Sequence, residues 1–581
     1  MTIATPSSAK NPTTFVGTNV PRVDGLAKVT GQAAYVDDLR PAAGELFGAT
    51  VRSPCAHGVL RGVTLDPTFD WSDVTVVQAA DIAINEVQCI SAEQPILVKN
   101  RILHAYEPIV LLACSDKQKL NRAIHAVKLD IEERVPVLDP EASLAKQDII
   151  WGDDNVLKKI TISKGCADVA ADDASIKAID EAIAACAVVV QNRYSTHHQE
   201  QLYIEPQGVI AHWDDAGVHV IGSIQCPYYV HKALVHAFGL PGDRVHVTQS
   251  VTGGGFGGKE EYPSVISLHA ALLAKKSGRH VRMIYDRKED IEATTKRHPA
   301  ICEITTGSDI DGTLRALKMR ILMDGGAYMT LSPVVLSRGA LHAAGAYRWS
   351  DVRIDAIAVA TNTPPNGAFR GFGAPQTIWA IERHLDEVAK KTGRDPLDFK
   401  RQNMLREGDV TSTGQVLRGS VGIAECVDKA LEASKYQEKR LAGPVIHGRK
   451  ARGVGASVFM HGAGFTGTGE TYLKGRVAVD LLPGGRLNIR TASTDIGQGT
   501  ETVFRQIAAD AANLSLDAVD FTVPSTTHVP DSGPTVASRT VMVVGSIVEK
   551  AAKEIAARVH AEMDHGGGDF ATAGDRLLAR E

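Results

Sequence analysis

The densest run of chemistry-bearing residues is Gly253 to Glu260, GGGFGGKE, set between a strand-like segment (Arg244 to Val251) and a helical one (Pro263 to Lys276) that stops at Gly278. Read as Gly-x-Gly-x-x-Gly, the run seats a pyrophosphate on the N-terminus of the following helix. Asp286, at the end of the next strand, is then the ribose acid of an NAD-dependent dehydrogenase. That acid stands 28 residues past Gly258, which is a long spacing. Read as Gly-x-x-x-x-Gly-Lys, the run is a phosphate-cradling loop, but Glu260 takes the place of the hydroxyl that must reach magnesium, and a carboxylate there repels phosphate. A plain glycine-rich turn is the third reading.

Metal-ligating patterns are sparse. His197, His198 and Glu200 in STHHQEQ do not make the His-Glu-x-x-His zinc arrangement and read as ordinary polar residues, and no zinc is expected. The eight cysteines include no Cys-x-x-Cys pair, which argues against a zinc ribbon or iron–sulfur cluster within this chain; free, mostly buried thiols are expected.

These residues need a scaffold, and the patterning predicts an α+β one. From Val23 to Pro140 short Val/Ile strands alternate with amphipathic pieces, ending in the strand-like Ala126 to Val135. Glu141 to Ala185 is polar and weakly periodic, and reads as a linker or insertion. Between Val188 and Asn403, strands at Gly217 to Gln225, Arg244 to Val251 and Val281 to Asp286 alternate with helices. One helix follows Pro375, carries Ile378, Ile381, Leu385 and Val388 on one face, and stops near Gly393. A Pro- and Gly-bearing charged segment, Lys435 to Gly453, marks a second boundary. Beyond it lie strands at Arg476 to Leu482 and Arg486 to Thr491, a long helix over Thr540 to Met563, and a short polar tail. No internal repeat of 20 to 50 residues is present.

Composition narrows the function classes. Over 581 residues, 63 Lys+Arg against 68 Asp+Glu leave a net charge of −5, so no polyanion-binding field and no nucleic-acid partner are expected. No apolar run is long enough to cross a bilayer, and the N-terminus lacks a basic head and apolar stretch; a soluble, cytoplasmic protein without membrane attachment is expected. Glycine, at 53 residues, is clustered in loops, as where backbone presses close to a ligand.

Four loops together carry a resemblance. Besides Gly253 to Glu260 they are AFRGFGAPQ (Ala368 to Gln376), DIGQGTET (Asp495 to Thr502) and PTVAS (Pro534 to Ser538), preceded by PRVDGLAKVTGQAAYVDD (Pro21 to Asp38). In this order they resemble the large subunit of the molybdenum hydroxylases, the xanthine dehydrogenase and aldehyde oxidase family. Gln225 precedes Phe256 by 31 residues and Arg338 precedes Arg370 by 32, as that family's pattern requires. The resemblance implies a hammerhead domain (residues 15–140) followed by a bipartite molybdopterin-binding region (155–405 and 425–581, the latter incomplete). It implies a molybdenum pyranopterin, in simple or cytosine dinucleotide form, contacted by Gly255, Phe256, Gly257, Arg370, Gln498, Ala537 and Ser538. Gln225, Phe256, Arg370 and Ala537 would surround the molybdenum without ligating it, since the pterin dithiolene supplies the sulfur.

By the same resemblance, Gln225, Arg338 and Glu260 are the catalytic residues, and Glu260, Arg338 and Phe372 bind substrate, with Phe465 a candidate second aromatic. Glu260 with Arg338 favours a purine or another polar N-heterocycle over an aldehyde, hydroxylated with water as oxygen source. An aldehyde-oxidising subunit is the alternative. Electrons would leave to [2Fe–2S] and FAD partner subunits. The family's general base is a Glu in a Gly-x-Gly-Glu segment beyond the PTVAS run; the chain ends first, and the GTGE of Gly467 to Glu470 lies upstream. The expectation is a polypeptide inactive until a small chain or missing C-terminal segment completes it. Exact substrate, electron acceptor and oligomeric state are not legible.

Overall fold

The computed structural model describes residues 14–465 and 468–580. Expectations attached to the first thirteen residues, to Gly467 of the GTGE segment and to Glu581 lie outside them.

A seven-stranded sheet underlies the glycine-rich loop, in the order Val245–Gln249, Gly217–Gly222, Gly208–Asp214, Val281–Ile284, Leu46–Arg52, Pro108–Cys114 and Thr75–Gln78. Leu46–Arg52 pairs in parallel with Val281–Ile284, so strands from both sides of residue 140 share one sheet. The helix Tyr262–Ser277 crosses it with every residue from Tyr262 to Ala274 buried, which explains why YPSVISLHAALLA is apolar around its whole circumference. Ile266, Leu268 and Leu273 pack there on Val209, Val220 and Val247. The helix closes, as expected, on Gly278 at φ +65°.

A five-stranded sheet, in the order Val156–Lys164, Asp351–Ala360, Leu314–Gly326, Ala300–Ser308 and Val188–Thr196, carries the helices Ser332–His342 and Ala374–Lys391. The second of these buries Ile381, Leu385 and Val388 on one face. A three-stranded sheet (Ala478–Leu482, Arg486–Arg490, Val519–Phe521) packs the helices Thr500–Ala512 and Ser546–Gly566 around Phe504, Leu487 and Ile489. Another comprises Arg101–Ile102, Gly58–Leu65 and Val127–Glu133, the last following helix Lys117–Ala126 directly in the chain. Among the described residues no helix is long and apolar enough to cross a membrane.

Three expectations are corrected. Glu141 to Ala185 is no linker: Val156–Lys164 is an edge strand paired with Asp351–Ala360, and helix Asp172–Ala184 buries Ile179 and Ile183 against Ala316. Its edge position leaves Lys158 and Lys159 exposed, which blurs the alternation that would have marked a strand. The polar tail contains the helix Phe570–Leu578, capped by the Asp569 carboxylate. The cysteines are free, but three (Cys114, Cys226, Cys302) are buried, three half-buried, and Cys166 and Cys426 exposed.

Candidate functional site

The strand Gly217–Gly222 ends three residues before Gln225, and this short stretch delivers Gln225, buried, to the start of helix Pro227–Phe238, whose Pro227 stands at the first helical turn. Gln225 Nε2 donates to the Thr535 carbonyl at 2.8 Å, and Oε1 accepts the Gly257 N–H at 3.2 Å. Its backbone N–H donates to the Lys259 carbonyl at 2.9 Å, and its carbonyl accepts the Thr494 hydroxyl at 2.8 Å. One residue thus ties three of the four loops. The fourth joins through the Arg370 N–H, which donates to the Phe256 carbonyl at 2.9 Å.

Backbone crowding explains the glycines. A Cβ on Gly255 would lie 2.8 Å from Gln225 Oε1, and one on Gly257, at φ +104°, would lie 2.8 Å from the Ala368 carbonyl. Phe256, Phe372, Ala537 and Ser538 hold left-handed backbone at φ between 52° and 54°. Such conformations cost about 1–3 kcal/mol each and concentrate at ligand-holding turns.

The loop is anchored from beneath by a buried cation. Lys259 Nζ donates to the Glu205 carbonyl (2.7 Å), to Glu205 Oε2 (3.1 Å) and to Ser223 Oγ (2.7 Å), and lies over the Tyr203 ring. Glu205 Oε2 also accepts the Gly253 N–H at 2.6 Å. Burial pulls the Lys259 ammonium down to about 8. The phosphate-loop reading is thereby overturned: Lys259 faces inward on a carboxylate. The dinucleotide reading falls with it, because Asp286 caps helix Arg287–Ala293 by accepting the Glu289 N–H at 2.8 Å, while Glu260 and Glu261 crowd the start of helix Tyr262–Ser277.

Glu260 is buried and its carboxyl makes no hydrogen bond among the described residues; burial, reinforced by neighbouring Glu261, pushes its pKa well above the carboxylate range. Both causes favour the protonated acid, the form that can donate a hydrogen bond. Burial raises Glu261 as well, although Glu261 Oε1 accepts the Thr295 hydroxyl at 2.7 Å and the Ala368 N–H at 3.2 Å. Since the folded state then binds more protons than the unfolded chain, this contribution is present at pH below the ordinary carboxyl range and is lost as pH rises. Glu261→Gln keeps both acceptor contacts and removes the titration. The variant is expected to gain stability relative to wild type between about pH 5 and pH 8; a pH-independent difference in thermal midpoint would refute the raised pKa.

Arg338 is 3% exposed, on helix Ser332–His342, and donates to the carbonyls of Gly462 and Gly464, both at 2.6 Å. The Gly464 N–H in turn donates to Ala537 at 2.8 Å, so Arg338 straps this segment to the PTVAS turn. No carboxylate pairs with it among the described residues. Arg370 is exposed and its guanidinium is likewise unpaired among them. Gln498 turns its amide into its own loop, accepting the Ile496 N–H (2.7 Å) and donating to Thr494 and Thr500; it shapes the turn. Ser538 Oγ meets His461 Nε2 at 3.1 Å. Phe256 is 45% exposed, and Phe372 and Phe465 are half-buried. Glu470 pairs with fully buried Arg539 at 2.9 Å and accepts the Phe465 N–H. Burial pushes Glu470 up, but these bonds outweigh it and hold the carboxyl below its usual value, as befits a structural ion pair.

Sequence reasoning missed Glu205, Glu261, Thr494, Thr535 and Arg22. Arg22 donates to the Gly497 carbonyl at 2.6 Å, locking the PRVDG segment to the DIGQG loop. Arg22 within the PRVDG motif and Thr535 within PTVAS were the available signals; the other three carry none beyond polarity.

The donor set suits a pyranopterin. In the Gly253 to Gly258 and Gly371 to Gly373 turns, glycines pack so closely on neighbouring protein atoms that a Cβ would clash, which keeps side chains out of both turns. Arg370 offers a free guanidinium for phosphate, the second Gln225 amide hydrogen is uncommitted, and a dithiolene-held metal needs no protein thiolate or imidazole.

Three family models match: the aldehyde oxidase and xanthine dehydrogenase a/b hammerhead domain over residues 30–135, and molybdopterin cofactor-binding domains over residues 162–404 and 429–567. A probable xanthine dehydrogenase subunit of Bacillus subtilis is 30% identical over 542 residues, 93% of this chain and 70% of that protein. The nicotinate dehydrogenase large molybdopterin subunit of Eubacterium barkeri is 31% identical over 421 residues, 72% of this chain and 96% of that protein. The aldehyde oxidoreductase of Desulfovibrio gigas superposes with a TM-score of 0.85 at 25% identity, covering 96% of this chain; the chain spans 61% of that protein's length. The chain belongs to the molybdenum hydroxylase family. Its place there is that of a molybdopterin-binding large subunit with a hammerhead domain, an oxidoreductase of the xanthine dehydrogenase type.

Proposed function

We propose that this subunit hydroxylates a polar, purine-like N-heterocycle, with water as oxygen donor. Electrons then pass to partner subunits carrying [2Fe–2S] clusters and FAD. The observation that carries the reading is Arg338: a buried guanidinium that, among the described residues, is hydrogen-bonded only to carbonyls leaves a positive field without a carboxylate to cancel it. Buried charges are ordinarily paired, so an unpaired one suits a ring on which negative charge develops. Glu260, whose burial favours the protonated acid and whose carboxyl has no partner among the described residues, adds a donor for a ring nitrogen or carbonyl oxygen. Two relatives are named for xanthine and nicotinate, both N-heterocycles.

The molybdenum pyranopterin supplies the oxygen transfer and accepts the electrons. This chain's residues do the rest. Gln225 aims an amide hydrogen from a point fixed by four bonds, Arg370 and the Ala537–Ser538 turn hold the pterin edge and phosphate, and Phe372 offers an aromatic face to the substrate. Glu260 and Arg338 orient the ring. Either pterin form, simple or cytosine dinucleotide, is compatible with these donors.

The test is elemental and spectroscopic analysis of the assembled enzyme, where about one molybdenum and one pterin per chain are expected. Activity should appear on N-heterocycles and be weak on aldehydes. A molybdenum-free preparation that is active with NAD would overturn the reading.

A further inference from the structure

On the face of the seven-stranded sheet, four imidazoles form a row. His246, His219, His212 and His280 stack in that order, with ring centroids 4.4, 4.6 and 4.2 Å apart and interplanar angles of 25°, 8° and 8°. Register makes the row: His219 stands directly opposite His212 on one side and His246 on the other. Asp214 ends the strand Gly208–Asp214 and is turned back by a tight hairpin, where its Oδ1 accepts the Ala216 N–H at 2.8 Å. Its carboxylate faces two rings, with Oδ1 3.0 Å from His219 Nε2 and Oδ2 4.0 Å from His212 Nε2.

We propose that His212, Asp214 and His219 form a binding site for a divalent transition metal that favours imidazole, zinc foremost. One ligand atom from each of the three lies within 4.8 Å of the others, and all three are solvent-accessible enough to admit an ion. In a tetrahedral zinc site at about 2.0–2.1 Å per bond, ligand atoms stand a little over 3 Å apart, so side-chain adjustments on the order of 1 Å complete the geometry. Rigid paired strands hold two of the ligands in register, and water can take the fourth position. Two imidazoles and one carboxylate are the donor set of zinc and its late first-row neighbours, not of calcium or magnesium.

The site is separate from the molybdopterin loops. His219 sits near the start of the strand whose far end leads to Gln225, six residues and roughly 20 Å of extended chain away. His-x-Asp-x-x-x-x-His belongs to no recurring zinc spacing; only the hairpin register brings the three side chains together.

The experiment is equilibrium dialysis of the chelator-treated, full-length chain in its assembled enzyme against micromolar Zn²⁺, read by elemental analysis. About one Zn²⁺ per chain is expected, with affinity lowered at least about tenfold in His219→Gln and in Asp214→Asn while molybdenum content is unchanged. Cu²⁺ added to the wild type should give an electron paramagnetic resonance spectrum with coupling to two imidazole nitrogens, a readout that no variant's folding can confound. Absence of stoichiometric Zn²⁺ in the wild type, or retention of full affinity in both variants, would overturn the proposal.

Discussion

Arg338→Met is expected to lower turnover of an N-heterocyclic substrate roughly 10²- to 10³-fold in the assembled enzyme, with molybdenum content retained. That is the scale of losing one preorganised charge-stabilising donor, about 2.7–4 kcal/mol. Arg338 donates to Gly462 and Gly464, so the substitution also frees two carbonyls. The strap keeps its second attachment at Ala537, which protects cofactor binding. Arg338→Lys separates charge from strapping: a retained cation should recover part of the lost turnover. If methionine leaves turnover of the heterocycle intact, the proposed substrate role is wrong. If aldehydes are the better substrates and survive the substitution, the aldehyde-oxidising alternative takes its place.

Gly257→Ala is expected to strip the chain of cofactor. At φ +104° alanine pays the left-handed penalty of about 1–2 kcal/mol, and its Cβ meets backbone of Ala368 at 2.8 Å and of Phe369 at 3.0 Å, atoms that cannot swing aside. Overpacking of this kind adds about 1–3 kcal/mol. The sum, about 2–5 kcal/mol, shifts the balance between seated and displaced loop by roughly 30- to 3000-fold. Because Gly257 N–H also bonds Gln225 Oε1, displacement uncouples the glycine-rich loop from the Thr494 and Thr535 loops. Elemental analysis should therefore find molybdenum reduced at least about tenfold. Gly453→Ala, where a Cβ meets nothing within 4 Å, is the control and should load normally. Normal loading of the Gly257 variant would mean the loops do not need this close approach.

The four loops and their order were legible because glycine clusters and their flanking residues are local, and Gln225, Phe256, Arg338 and Arg370 came with them through the family resemblance. The amphipathic helix after Pro375 was legible for the same reason, its period lying within one turn of chain. What joins the loops was not. Lys259 next to glycines invites a phosphate, and only the fold reveals Glu205 beneath it. Glu261 and Thr295 meet across 34 residues, and Arg22 and Gly497 across 475, separations at which no periodicity speaks. The strand Val156–Lys164 hid for a different reason, since an edge strand with outward lysines loses the alternation that betrays buried ones.

The parallel pairing of Leu46–Arg52 with Val281–Ile284 bears on how the chain is made. The two strands lie 235 positions apart, from Leu46 to Val281, so at about 5–20 residues per second the first waits on the order of 10–50 s on the ribosome before its neighbour is synthesised. The antiparallel partner Pro108–Cys114 arrives early and covers one edge; the other stays open, with apolar Leu46 and Val51 beside it. A long-range closure of this kind is a slow and aggregation-exposed step, and the open edge of Leu46–Arg52 is the surface left unpaired until it happens.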